Sequence, residues 1–172
     1  MKLNNKGFTL VELLAVIVIL AVVMLIGVTA VGPLMARSRK GALGTEGLAI
    51  VKAAQTAFQA EQLKTGSKIV ASKDACFSVE YLKQAGYYEK GDAEHLWGSV
   101  LVDYNNGKYT YSFWILNDAY GFANEPSATY NSEKGVDATN STVSDKDKMQ
   151  KCGGSVSNTT VCSYANSTAS CS

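Results

Sequence analysis

Hydrophobic and polar positions fall into three regimes along the chain. From Leu13 to Ala36 there is no charged residue, and only Gly27, Thr29, Gly32 and Pro33 interrupt the apolar run. A helix crossing hydrocarbon needs about 20 apolar residues, so this run is long enough to span a membrane. It also exceeds the ~7–15 residue core of a secretory signal, and no A-x-A cleavage site follows it cleanly. From Gly41 to Gly66 the pattern becomes amphipathic. Ile50, Val51, Ala54, Ala57 and Phe58 fall on one arc of a 3.6-residue period, with Lys52, Gln55, Thr56, Gln59 and Gln62 on the opposite arc. Together the two stretches predict one long helix, stopped at Gly66. Unbroken from Phe8 to Gly66, it would measure roughly 90 Å. Pro33 removes one helical hydrogen bond and crowds the preceding turn, which a membrane helix tolerates better than a soluble one.

The third regime is β-like and then polar. Residues 67–97 predict a loop with one short helix near Ser78 to Ala85. Ser99 to Tyr104 alternates, with Val100, Val102 and Tyr104 on one face. Tyr109 to Ile115 alternates as well, with Tyr109, Tyr111, Phe113 and Ile115 together. Between them lies "NNGK", in which Asn106-Gly107 suits a tight type I′ turn. A third strand is expected after Tyr120, giving a small antiparallel sheet over about residues 98–125. Two strands alone are marginal, so the apolar arc of the helix has to cover that sheet. The predicted fold class is α+β. From Asn124 onward the chain is rich in Ser, Thr, Asn, Gly and Lys. That composition predicts a variable surface region stapled by cysteines rather than a second domain.

Composition narrows the function. A length of 172 residues fits one domain plus an anchor. The net charge is +1 without a basic block, so no nucleic-acid partner is expected. Lys2 and Lys6 precede the apolar run, while Arg37, Arg39 and Lys40 follow it, so charge alone does not orient the span. All four cysteines, Cys76, Cys152, Cys162 and Cys171, lie beyond the run, which favours an exported, oxidising compartment. Their spacing lacks the CxxC pairs of a zinc ribbon, so disulfides are favoured over a metal. At least one is expected between two of Cys152, Cys162 and Cys171, with Cys76 pairing with the remaining cysteine. The lone histidine, His95, beside Glu94, reads as a solvated loop residue. No phosphate loop, His-based metal motif or catalytic constellation appears, so neither enzymatic activity nor a cofactor is expected. Asn140, Asn158 and Asn166 each fit N-x-[ST], a triplet that so Ser-, Thr- and Asn-rich a chain also produces by chance.

The start of the apolar run is the most informative stretch. "KGFTLVELL" joins a short basic leader, Gly7 before Phe8, and Glu12 four residues after Phe8 to an uninterrupted apolar helix. This combination resembles the type IV pilin signature, the class III signal of prepilins. The resemblance covers the leader and the long helix, and the head shares only the general layout. It implies cleavage between Gly7 and Phe8 by a membrane-embedded prepilin peptidase, followed by N-methylation of Phe8. Residues 1–7 would be the leader, 8–40 the transmembrane and assembly helix, and 41–172 the globular head, with its helix over 41–66. Only the leader would stay inside, so the head would face out. Glycine suits the cut, since an extended backbone without a Cβ can approach a peptidase closely. Many relatives carry a helix-melting proline that would align with Thr29, whereas here Pro33 lies one turn later.

The same resemblance gives Glu12 a role. A carboxylate buried among packed apolar helices needs a partner, and the Phe8 amine of a neighbouring subunit would be one. Glu12 would also favour the positive end of its own helix dipole. The implied partners are further copies of the chain, prepilin peptidase, the pilus assembly machinery and the membrane before assembly. The implied function is a structural subunit of a surface filament for adhesion, aggregation, motility or biofilm. A minor pilin or a pseudopilin of a type II secretion or DNA-uptake machine is the nearest alternative. A membrane-anchored binding domain that never polymerises, with an uncleaved leader, is the alternative of another class.

Overall fold

The long helix read from the pattern runs from Leu10 to Leu63 (α1) in the computed structural model, which describes residues 9–89, 95–152, 160–165 and 168–171. It continues through Pro33 and ends just before Gly66, whose φ of 81° belongs to the left-handed turn that follows. Contacts divide the chain into two units, residues 1–38 and 39–172.

Within the second unit the amphipathic stretch buries the arc that its sequence predicts. Ile50, Val51, Ala54, Ala57 and Phe58 are all buried, while Lys52, Thr56 and Gln59 are exposed. Full burial of a Val, Ile or Phe side chain contributes about 1.5–3 kcal/mol, so this arc supplies much of the drive to pack against the sheet. That sheet has seven strands in the order β5-β4-β3-β2-β1-β6-β7. They are β1 (Ala75–Ser78), β2 (Trp97–Asn105), β3 (Lys108–Leu116), β4 (Tyr120–Pro126), β5 (Val136–Asp137), β6 (Thr160–Ala165) and β7 (Thr168–Cys171). Neighbours from β5 through β1 pair antiparallel, β6 runs parallel to β1, and β7 returns antiparallel to β6.

The hairpin forms as its alternation predicts. Val100 faces Phe113, Val102 faces Tyr111 and Tyr104 faces Tyr109. Asn106 and Gly107 both have positive φ, 49° and 83°, as a type I′ turn requires. Val100, Val102, Phe113 and Ile115 join the helix arc in one core. The predicted third strand is β4, and the short helix is α2 (Val79–Gln84), capped by the Ser78 hydroxyl accepting from the Tyr81 N–H at 3.0 Å.

Two expectations are corrected. The segment 67–97 is more than a loop with a helix, because Ala75–Ser78 forms the four-residue strand β1 at the heart of the sheet. Its brevity and lack of alternation, with every position buried, hide it from a period-2 search. The polar tail, too, is more than a surface region. It contributes β5, β6, β7 and the short helix α3 (Lys146–Met149). Met149 and Val143 cover the second face of the sheet together with Trp114, Leu116, Cys76 and Cys152. Strands β1, β2 and β3 thus carry buried side chains on both faces. The buried Ser99 hydroxyl accepts from the Cys152 N–H at 2.9 Å and donates to the Met149 carbonyl, tying the tail to β2.

Close approach sets tolerances in this core. A Cβ at Gly47 would lie 2.4 Å from the buried Phe113 ring. Gly47→Val is therefore expected to destabilise by about 2 kcal/mol or more, since overpacking costs about 1–3 kcal/mol and the buried ring already packs against Phe122 and Tyr130. Thermal unfolding of the detergent-solubilised chain checks this, and an unchanged midpoint would show that helix and strand separate freely here.

One buried and one half-buried polar contact pin the second-unit part of α1 to its surroundings. The buried Glu61 carboxylate accepts from the Tyr81 hydroxyl at 2.8 Å and pairs with Lys64. The Tyr88 hydroxyl donates to Glu46 at 2.7 Å. Burial pushes the Tyr88 phenol well above its ordinary value of 10.0, and the adjoining Glu46 carboxylate adds to the shift. The unfolded chain would ionise Tyr88 near pH 10 while the folded chain keeps it neutral. Its contribution to stability is complete below that pH and is lost as pH rises toward the raised folded value. Denaturation midpoints measured above pH 10 are expected to fall more steeply for the natural chain than for Tyr88→Phe; parallel curves would dismiss the linkage.

Candidate functional site

The first unit holds the site residue Glu12, and its geometry begins one residue before the helix. Thr9 caps α1. The Glu12 N–H donates to Thr9 Oγ1 at 3.3 Å, the Thr9 N–H donates to Glu12 Oε2 at 2.8 Å, and the Thr9 hydroxyl donates to the same oxygen at 2.9 Å. This is a reciprocal capping box, which satisfies donors that a helix N-terminus otherwise leaves unpaired. The acid also sits at the positive end of the helix dipole. Glu12 therefore has a partner within its own chain, which the reading of the sequence did not include. The signal was present, since Thr9 and Glu12 stand at the T-x-x-E spacing of a capping box. Gly7 and Phe8 lie outside the described residues.

Beyond the cap the helix surface is apolar all round. Leu10 through Leu20, Val22 through Ile26, Val31, Leu34 and Met35 include no large apolar side chain that is buried, and Leu25 remains 75 % exposed. The most apolar 18 residues of this helix have a mean hydropathy of 3.1, and none of that stretch is buried among the described residues. A helix that is hydrophobic on every side is satisfied only by lipid or by other protein. Nothing lies within 4 Å of a Cβ placed at Gly27 or at Gly32. No packing among the described residues, then, requires glycine there.

The cysteines lie in the second unit. Cys76 of β1 and Cys152 form a disulfide with a Cα–Cα distance of 6.3 Å. Both are buried in the cluster on the second face of the sheet. Cys162 and Cys171 are direct register partners across β6 and β7. Among the described residues no group of three His, Cys, Asp or Glu side chains could hold a metal ion. His95 meets Asp118 at 3.2 Å with both side chains 65 % exposed, and its ring stands edge-on to Trp97.

The family model for the prokaryotic N-terminal methylation motif matches residues 2–28. Over that stretch the chain is similar to prepilins. The match takes in the Gly7-Phe8 pair, the capping box and the apolar run as far as Val28. This motif is a structural signal of pilin-type proteins and not the mark of an enzyme family. Together with α1 and the antiparallel strands of the second unit, this motif is consistent with a type IV pilin. The apolar helix and the signal fit a membrane-anchored precursor. No curated protein and no solved structure matches the chain.

Proposed function

We propose that this protein is a structural subunit of a type IV pilus. It is cut between Gly7 and Phe8 by prepilin peptidase, methylated at Phe8 and polymerised through α1 into a surface filament serving adhesion, aggregation, motility or biofilm. The observation that carries the reading is the methylation motif in register with a helix whose large apolar side chains stay exposed among the described residues. Before assembly the membrane covers that surface, and in the filament neighbouring copies of the same helix replace it. Cleavage of a short leader on the cytoplasmic side leaves the head outside, which suits a disulfide at Cys76 and Cys152.

The mature N-terminus tests the proposal. Mass spectrometry of the chain from cells is expected to find methylated Phe8 as its first residue, and a chain still beginning at Met1 would refute it. Gly7→Val is expected to leave the leader in place, because a β-branched side chain crowds the backbone at the cut. Electron microscopy of sheared fibres then assigns the rank of the subunit. As the main component it is a major pilin; in traces it is a minor pilin or a pseudopilin.

A further inference from the structure

We infer that Asn140 is an acceptor for an N-linked glycan. The chain carries three N-x-[ST] triplets, but pattern alone does not separate acceptors from chance. Asn140 stands in the turn between β5 and α3, with its own N–H bonded to the Asp137 carbonyl at 2.9 Å. Its carbonyl accepts from the Val143 and Ser144 N–H groups at 3.0 and 2.9 Å. Val143 is fully buried in the core of the second sheet face, so the turn is held in place while Asn140, Ser141 and Thr142 stay exposed.

The side-chain amide is arranged for substitution at nitrogen. Asn140 Oδ1 accepts from the Thr142 N–H at 3.0 Å and from the Thr142 hydroxyl at 2.7 Å. A backbone N–H can only donate, so the oxygen of the amide faces inward and Nδ2 faces away from the turn. Two donors on Oδ1 draw electron density toward oxygen and ease loss of a proton from Nδ2. That is the change an amide nitrogen needs before it can attack. Asn117 and Asn131 build similar turns, accepting from the N–H of Ala119 and of Glu133. Neither has a hydroxyl two residues on, so neither offers the second donor.

The co-reactant is a lipid-linked, pyrophosphate-activated oligosaccharide supplied on the outer side of the membrane. In the transfer, the bond from the anomeric carbon to the phosphate oxygen breaks and a bond from that carbon to Nδ2 forms. The electron pair leaves with the lipid pyrophosphate, and the Nδ2 proton passes to a base of the transferase. This inference rests on the outward-facing head of the proposed function.

The test is glycopeptide mass spectrometry on the full-length chain from the cells that make it, read together with its N-terminus. A hexose- or hexosamine-containing mass on the Asn140 peptide is expected. It should vanish in Asn140→Gln and Thr142→Ala and persist in Thr142→Ser, which keeps the hydroxyl. Persistence in Asn140→Gln would place the sugar on Ser141 or Thr142 and overturn the inference. An unmodified Asn140 peptide from a chain beginning at Phe8 would overturn this inference alone. A glycosylated chain still beginning at Met1 would uphold it and overturn the pilus reading instead.

Discussion

Chains in which Glu12 is replaced by alanine are expected to be made, inserted and cleaved normally, yet to yield few or no surface filaments. The expectation follows from the change of surroundings on assembly. In the single chain Glu12 has the Thr9 N–H and hydroxyl as donors and no cover from its own protein. In a filament built through α1 the same carboxylate would be enclosed by apolar helices. There a neutral cap leaves its charge uncompensated, and the Phe8 amine of a neighbouring subunit would compensate it. The capping box sharpens the test, because it offers a rival reason for any defect: a frayed helix start. Glu12→Gln separates the two. Its amide oxygen can still accept the Thr9 N–H, as glutamine does in capping boxes, but it carries no charge. Thr9→Val has the opposite effect, removing the hydroxyl and keeping the carboxylate. If charge drives docking, both Glu12 variants lose filaments and Thr9→Val retains most of them. Abundant filaments from Glu12→Gln subunits, with few from Thr9→Val, would transfer the role to the cap. Filament yield after shearing, normalised to cleaved subunit in the membrane, is the measurement.

Legibility in the sequence followed the strength of each periodic signal. The helix arc around Ile50 and Phe58 was readable because a 3.6-residue period persisted over several turns. The hairpin was readable because two alternating runs flank Asn106-Gly107, a pair that accepts positive φ at both positions. What escaped was the second face of the sheet. On that face β2 offers Trp97, Ser99 and Leu101, and β3 offers Trp114 and Leu116, a mixed set whose cover comes from far along the chain. Val143 and Met149 are single apolar residues in a polar stretch, so no local period marks them. Strand β1 escaped because it is short and buried throughout. At the site, Gly7, Phe8 and Glu12 stood out through their spacing, while the Thr9 cap was overlooked although its spacing was equally plain. The partner of Cys76 was not readable, since pairing depends on which strands become neighbours and spacing does not report that.

Replacing Cys76 and Cys152 together by serine is expected to cost the head about 4 kcal/mol. The disulfide closes a loop with a sequence separation of 76, long enough that the chain-entropy model assigns it about 4 kcal/mol through restriction of the unfolded chain. Its position in the fold reinforces the estimate. Cys152 precedes the segment that leads to β6, and Cys76 lies in β1, the strand on which β6 pairs. Reopening the loop therefore loosens the closure that returns the tail to the sheet edge. It also exposes two buried positions to the added polarity of serine hydroxyls. The Ser99 hydroxyl, bonded to the Cys152 N–H and the Met149 carbonyl, would remain as the tie between tail and β2. Cys76→Ser/Cys152→Ser should thus unfold earlier in urea with a larger exposed surface at intermediate concentrations, while Ser99→Ala in addition should release the tail. Thiol counting on the unreduced chain supplies the companion measurement. With Cys76 and Cys152 joined, the pairing expected within the last three cysteines falls to Cys162 and Cys171, which the β6–β7 register sets opposite each other. No free thiol is expected in the natural chain, and none in the double variant. Two free thiols in the natural chain would leave the tail closed by the Cys76–Cys152 bond alone. An unchanged urea midpoint in the double variant would mean that β6 docks on β1 without covalent help.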